Sequence, residues 1–276
     1  MFLTATRIIA FLKRSFVLSL LCFGAGHAPM AMAQLPGTLS ATGNTVDSPN
    51  TAVHLLQRPG PISVSAVLNA ASGLTGPVAP GETVVITGFR LGPAQLITSV
   101  PGSDGLFGTE LAGTTVQING TLVQLIYTWA TQVAAIVPDS ISGDTAHVTV
   151  TYQRQTSESF PVPVAPAAPG IFTQDSTGQG HAATINQNGS INTPAHWEGD
   201  VVTLFVTGLG QATSDVTIHG FNLPVVPISV DKGPIPGVMQ IKEGILHGQD
   251  CDTPVVVQVG KASSQPGVTI AIDLCI

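Results

Sequence analysis

The residue types able to do chemistry are few in this chain and widely spaced. Beyond Cys22 the only cysteines are Cys251 and Cys275. Each falls near the outer end of one strand of the last strand pair expected from the sequence. In an oxidising compartment one intramolecular disulfide is the expected pairing, with strand register deciding the Cα separation. Such a bridge would stabilise by about 3 kcal/mol; the alternative is two free or intermolecular thiols. His247 and Cys251 stand four apart beside Asp250 and Asp252. No second His or Cys pair completes a metal site there, and no Asp/Asn series has calcium-loop spacing, so no metal is expected. His54, His147, His181, His196 and His219 follow no common spacing, and His147 falls on the polar face of a strand. There is no Gly-x-Ser-x-Gly elbow. Gly208-Leu209-Gly210 follows a strand pattern without a helix after it, which is not a phosphate loop. No local cue pairs two of the 16 acids for glycoside hydrolysis. No catalytic or cofactor-binding residue is therefore nominated, and a non-enzymatic protein without a cofactor is expected. Two side chains remain as ligand-stacking candidates: Trp129, beside Tyr127, and Trp197. Their rings could stack on sugars, although core packing is the commoner role of an aromatic and the favoured reading of Trp129.

Composition says what must position these residues. The chain has 276 residues, 43% hydrophobic and only 9% charged, with 30 Gly, 21 Pro and few aromatics. Abundant Thr, Val, Gly and Pro with little charge favours short strands and tight turns over helices. All 16 acids lie beyond residue 40, whereas three of the nine bases (Arg7, Lys13, Arg14) lie in the first 14 residues. The rest of the chain is acidic without a basic cluster, which argues against nucleic acid and anionic lipid as partners. Arg7, Lys13 and Arg14 precede the apolar run Phe16–Phe23, and Ala31-Met32-Ala33 precedes Gln34. This is the pattern of a Sec-type signal peptide over residues 1–33. The run is short for an uncleaved membrane anchor. Leu20-Leu21 ahead of Cys22 do not make a lipobox. No later segment is apolar and long enough to span a membrane, so no span is expected in the mature chain.

Residues 34–61 read as a flexible arm rich in Pro, Gly, Ser and Asn. Within it, Thr51–Leu56 could pair as an edge strand. Residues 62–164 read as a first sandwich of about seven short strands, the immunoglobulin-like number. The turn-strand-turn stretch Val78–Pro93 (VAPGETVVITGFRLGP) is its organising element, and a looser copy stands at Glu198–Gln211. Leu96–Gly113 reads as a long loop. Asn119-Gly120 predicts a type I′ hairpin between Thr114–Ile118 and Thr121–Tyr127, which outweighs the glycosylation sequon it forms with Thr121. Strands are expected at Gln132–Val137, Thr145–Tyr152 and Ser159–Val164. Residues 165–170 (APAAPG) form a semi-rigid linker. Residues 171–276 hold the second sandwich, with a hairpin around Asn186–Gly189, the strand Val201–Thr207, and a final pair over Pro254–Val259 and Val268–Leu274.

VLNAAS at Val67–Ser72, the Val78–Pro93 stretch, VAPAAPGIF at Val164–Phe172 and SSQPGVTIAI at Ser263–Ile272 resemble a domain family. It is found mostly as a C-terminal module of large exported acidobacterial proteins. Gly81, Val84, Ile86, Gly88, Leu91 and Gly92 are also similar to the hallmark strand of IPT/TIG domains. The resemblance covers Ile62 to the C-terminus. It implies an all-β chain of two tandem immunoglobulin-like, IPT/TIG-like sandwiches after the signal peptide, with no catalytic or binding residues to carry over. Val230–Gly237 is shorter than the family's usual stretch, so the second sandwich is expected to be truncated at an exposed edge, or to take a strand from a partner.

These observations point to an exported, non-enzymatic module, secreted or held at the cell surface or in the periplasm. Its role would be structural, adhesive or protein-interacting, with a protein or polysaccharide of the cell envelope as partner. A carbohydrate-binding module is the alternative. A secreted hydrolase is the weakest reading, because it needs a cleft with paired acids or a Ser-His contact.

Overall fold

The computed structural model describes residues 60–193, 199–211, 213–220, 223–244 and 252–271. The expected signal peptide (1–33), residues 34–59 of the expected arm, Trp197, His196, His247, Cys251 and Cys275 lie outside the described residues.

In the first sandwich the strands are β1 (Ser63–Asn69), β2 (Thr83–Phe89), β3 (Ile97–Thr98), β4 (Glu110–Leu111), β5 (Thr114–Ile118), β6 (Thr121–Leu122), β7 (Leu125–Thr128), β8 (Gln132–Ile136), β9 (Thr145–Tyr152), β10 (Gln155–Thr156) and β11 (Phe160–Pro163). One sheet runs β1-β2-β8-β7-β3; the other runs β10-β9-β5-β4, with β11 also on β9 and β6 on β5. Alternation decides what faces inward. In β9, Ala146, Val148 and Val150 are buried while Thr145 and His147 are exposed. Together with Val84, Ile86, Val116, Leu125 and Val133 they fill one core.

The expected long loop holds two short strands, β3 and β4. The Asn119-Gly120 turn is present, with φ of 51° and 78° as type I′ requires. The strand after it does not continue as expected. Only Thr121 and Leu122 pair back on β5, and β7 crosses to the other sheet and pairs with β8. Val123 turns into the core between them, and that inward anchor splits the run.

The second sandwich comprises β12 (Gly170–Ile171), β13 (Gly180–His181), β14 (Thr184–Asn186), β15 (Val201–Thr207), β16 (Val216–Gly220), β17 (Leu223–Val225), β18 (Ser229–Lys232), β19 (Met239–Gly244), β20 (Thr253–Pro254), β21 (Val256–Val259), β22 (Ala262–Ser263) and β23 (Val268–Ile270). One layer runs β12-β15-β19-β18 with β14 on β15. It faces a four-stranded sheet β17-β16-β21-β22 and a three-stranded sheet β13-β23-β20. Val202, Leu204, Ile241, Ile218, Val257 and Ile270 meet in its core. The expected final hairpin is corrected. β21 pairs with β16 and β22, whereas β23 pairs with β20 and, in parallel, with β13. The segment over 254–259 therefore serves two sheets. β18 has β19 as its one partner among the described residues and forms the edge of its layer.

Candidate functional site

The four stretches that carry the resemblance come together at the junction between the sandwiches. Asn69, at the end of β1, uses its Oδ1 to accept hydrogen bonds from the Ala71 and Ser72 amides, both 3.0 Å. That fixes the amide group, so Nδ2 points the other way. It donates to Glu82 Oε1 (2.9 Å) and to the Ala168 carbonyl of the linker (3.0 Å). Glu82 Oε2 accepts from the Ala79 amide at 2.7 Å. Gln265, from the fourth stretch, clamps the linker's far end: Oε1 accepts from the Ile171 amide (3.1 Å) and Nε2 donates to its carbonyl (2.7 Å). The linker is thus hydrogen-bonded to both sandwiches, through Ala165 to Val78 and through Ala168 to Asn69 and Gly208, with Ala167 buried.

Gly208 and Gly210 have φ of 73° and 65°, and a Cβ on either would stand 2.0 Å from the Ala168 carbonyl or 1.9 Å from the Pro166 carbonyl. The Gly-Leu-Gly stretch is a seat for the linker, not a phosphate loop. Beside it the Thr83 amide donates to Thr207 Oγ1 (2.8 Å), which donates to the Gly237 carbonyl (2.7 Å).

An apolar layer backs these bonds. Ile126, Tyr127, Ala134, Ile136 and Phe107 of the first sandwich pack with Phe172, Phe205, Ile235 and Val238 of the second. β8 and β15 are buried on both faces. Val133 and Ala135 point into their own sandwich while Ala134 and Ile136 point into the junction; Leu204 and Val206 point inward while Phe205 points to the junction.

Along this junction lies a cleft of ≈ 970 Å³, walled by Gly81, Pro138 and Leu122 on one side and by Gly208, Pro234 and Lys232 on the other. Gln211 Nε2 reaches across to the Asp139 carbonyl at 2.8 Å. Among the described residues its ionisable side chains are Asp104, Asp139 and Lys232, and no aromatic ring lines it. Leu106 and Leu122 are exposed on its wall. This is an aliphatic, backbone-rich surface without a described nucleophile and base.

Two buried carboxyls have raised pKa values. Glu82, wholly buried, is raised to about 8 because burial outweighs its hydrogen bonds from Ala79 and Asn69. Glu243 on β19 is raised to about 7 by burial, and neither oxygen has a hydrogen-bond partner among the described residues. Burial also pushes the Tyr127 hydroxyl up.

Of the residues singled out in the sequence, Trp129 is half-buried. It packs against the junction layer and donates from Nε1 to the Ala94 carbonyl at 2.9 Å. His147 sits on the exposed face of β9, with Nδ1 3.1 Å from Ser159 Oγ. His181 Nδ1 lies 3.6 Å from Asp252 Oδ1, and its Nε2 contacts buried Asn192. No group of three or more His, Cys, Asp or Glu gathers as a metal site among the described residues. Asn69, Glu82 and Gln265 were not singled out. The only sequence trace of their role was their place inside the four stretches.

Two stacked sandwiches with a hydrogen-bonded linker define an immunoglobulin-like repeat protein. Residues 66–163, within the first sandwich, match the IPT/TIG domain family. No curated protein matches the chain. Solved structures with a similar fold include the surface glycan-binding protein SGBP-B from a xyloglucan utilization locus of Bacteroides uniformis. It is 13% identical, with 76% of this chain and 49% of that one covered and a TM-score of 0.25. A second is the SGBP-B of the Bacteroides ovatus mixed-linkage glucan locus, at 9% identity, 71% and 44% coverage and a TM-score of 0.31. Domains 5–6 of the S-layer protein SbsC are 14% identical, with 78% and 100% covered and a TM-score of 0.26. This chain spans less than half the length of the two glycan-binding proteins. With TM-scores this low, none of these likenesses bears on ligand, partner or activity.

Proposed function

We propose that this chain is an exported, non-catalytic module with a structural, adhesive or protein-interaction role at the cell surface or outside the cell. In this reading residues 1–33 are a signal peptide and 34–61 an arm. Residues 62–164 and 171–276 are the sandwiches, 165–170 is the linker, and Cys251 and Cys275 are bridged. The observation that carries it is the junction. An apolar layer shared by both sandwiches, with linker residues Ala165 and Ala168 hydrogen-bonded to both of them, holds the two sandwiches in one relative placement. A fixed angle suits a spacer or an adhesive element, and the cleft presents aliphatic side chains and backbone, which suit a polypeptide partner.

Carbohydrate binding is the second reading, supported by the partly exposed ring of Trp129. A polysaccharide screen on the protein from Gln34 onward, with Trp129→Ala and Trp197→Ala in parallel and folding checked by circular dichroism, separates the two. A blank polysaccharide screen alongside retention of cell-envelope protein is expected. Saturable polysaccharide binding that disappears in a folded Trp variant would overturn the protein-interaction reading.

A further inference from the structure

Two sheets of the second sandwich end on the same side. Among the described residues β17 pairs only with β16, and β18 only with β19. The short crossing that joins these two edges carries Val226 and Ile228, 77% and 63% exposed. The ladder shows which backbone groups of β18 are free. The Gly233 amide donates to the Val238 carbonyl (2.8 Å), so by antiparallel alternation Asp231 and Ser229 also face β19. Val230 and Lys232 therefore turn their amides and carbonyls to the open side. Some edge groups are already engaged within the chain: the Lys232 carbonyl accepts from Gln240 Nε2 at 3.1 Å, and the Ile228 amide donates to the Lys242 carbonyl at 2.8 Å. The Val230 amide and carbonyl, the Lys232 amide and the Ile228 carbonyl remain without a partner among the described residues.

We propose that β18 is a self-pairing edge: a second copy of this chain adds its own β18, antiparallel, about a two-fold axis at Val230. In that register each Val230 amide donates to the other copy's Val230 carbonyl, and each Lys232 amide donates to the other copy's Ile228 carbonyl. Every free edge group gains a partner. The groups left out, the Ile228 amide and the Lys232 carbonyl, are those already bonded within their own chain. The layer β12-β15-β19-β18 and its copy then form one continuous sheet.

The side chains select the same register, because directly opposed residues share a face. Ile228 falls opposite the second copy's Lys232, whose aliphatic stem covers it. Ser229 falls opposite the second copy's Asp231. Within one strand the Ser229 hydroxyl already donates to Asp231 Oδ2 at 2.8 Å, so the two groups suit each other across the axis. The rival registers fail. Val230 set against Lys232 places Asp231 against Asp231. Lys232 set against Lys232 opposes like charges and brings Pro234, which has no amide, against Val230. Val230 set against Ile228 needs the Ile228 amide, which faces β19. Charges on an edge strand ordinarily deter pairing; here they deter these rivals and spare the register centred on Val230.

Sedimentation equilibrium of the protein from Gln34 onward, in a concentration series reaching about 1 mM, reads the association directly. A monomer–dimer equilibrium is expected. Val230→Pro removes the central amide and leaves the β18–β19 bonds, because that amide faces outward. Its dimer dissociation constant should rise about tenfold or more with the circular dichroism spectrum unchanged. Ser229→Lys, opposite Asp231 of the second copy, should tighten the dimer about threefold, and Ser229→Asp should weaken it by a similar factor. The charge pair at position 229 keeps the test decisive if Val230→Pro fails to fold. Self-pairing at β18 does not depend on what the cleft binds, so a blank binding screen leaves it standing. A monomer at every concentration, a dimer unmoved by a folded Val230→Pro, or one indifferent to the charge at 229 would each overturn it.

Discussion

Truncating Phe205 to alanine tests whether the junction makes one cooperative unit of two sandwiches. Phe205 is fully buried on β15, but its flanking residues Leu204 and Val206 face the interior of the second sandwich while it faces the first. A buried Phe→Ala change costs about 3–5 kcal/mol. A natural domain commonly has only about 5–15 kcal/mol in total. Here the lost contacts lie between sandwiches and not within either, so the loss should fall on their coupling. Urea unfolding followed by circular dichroism should show one transition in the wild type. In Phe205→Ala it should show two, each with a smaller denaturant slope, because each exposes about half the surface. Leu204→Ala costs about 2–5 kcal/mol in the neighbouring core and should shift a single transition without dividing it. If Phe205→Ala also keeps one transition with the wild-type slope, the junction does not couple the sandwiches, and the argument for a fixed inter-domain placement fails with it.

Two further outcomes are expected. Gly210→Ala and Gly120→Ala both place a side chain at positive φ (65° and 78°), a strain of about 1–3 kcal/mol each, but only the first also drives a Cβ to 1.9 Å from a carbonyl, that of Pro166; thermal unfolding should show a clearly larger loss for Gly210→Ala than for Gly120→Ala, and equal losses would refute the linker seat. Glu243, held at about 7 by burial, is neutral when folded, so its contribution is full below about pH 4.5 and lost as pH rises through about 7. Stability measured by urea titration should decline across that window in the wild type and decline less in Glu243→Gln; an unchanged pH profile in the variant would place the pH dependence elsewhere.

Much of the fold was legible locally. β9 alternates, Asn119-Gly120 supplies the two positive φ angles of its turn, and Val201–Thr207 is a strand with the bounds its residues suggest. These features depend on side-chain period and backbone sterics, which act over a few residues. The split of the run after Gly120 and the two-sheet role of residues 254–259 were not legible, because which sheet a strand joins depends on partners far away in sequence.

The junction was half-written in the sequence. Val133–Val137 is continuously apolar and so is Leu204–Val206, where a one-sided strand would alternate, and that is the trace of burial on both faces. Composition and period alone determined an all-β, acidic chain with no assembled motif for catalysis. Only the tertiary structure decided that Asn69 meets Glu82 and Ala168, and that Gln265 meets Ile171. The longer of these hydrogen bonds join residues 99 and 94 positions apart, and a bond over such a span is specified by how two cores pack together, not by any local preference.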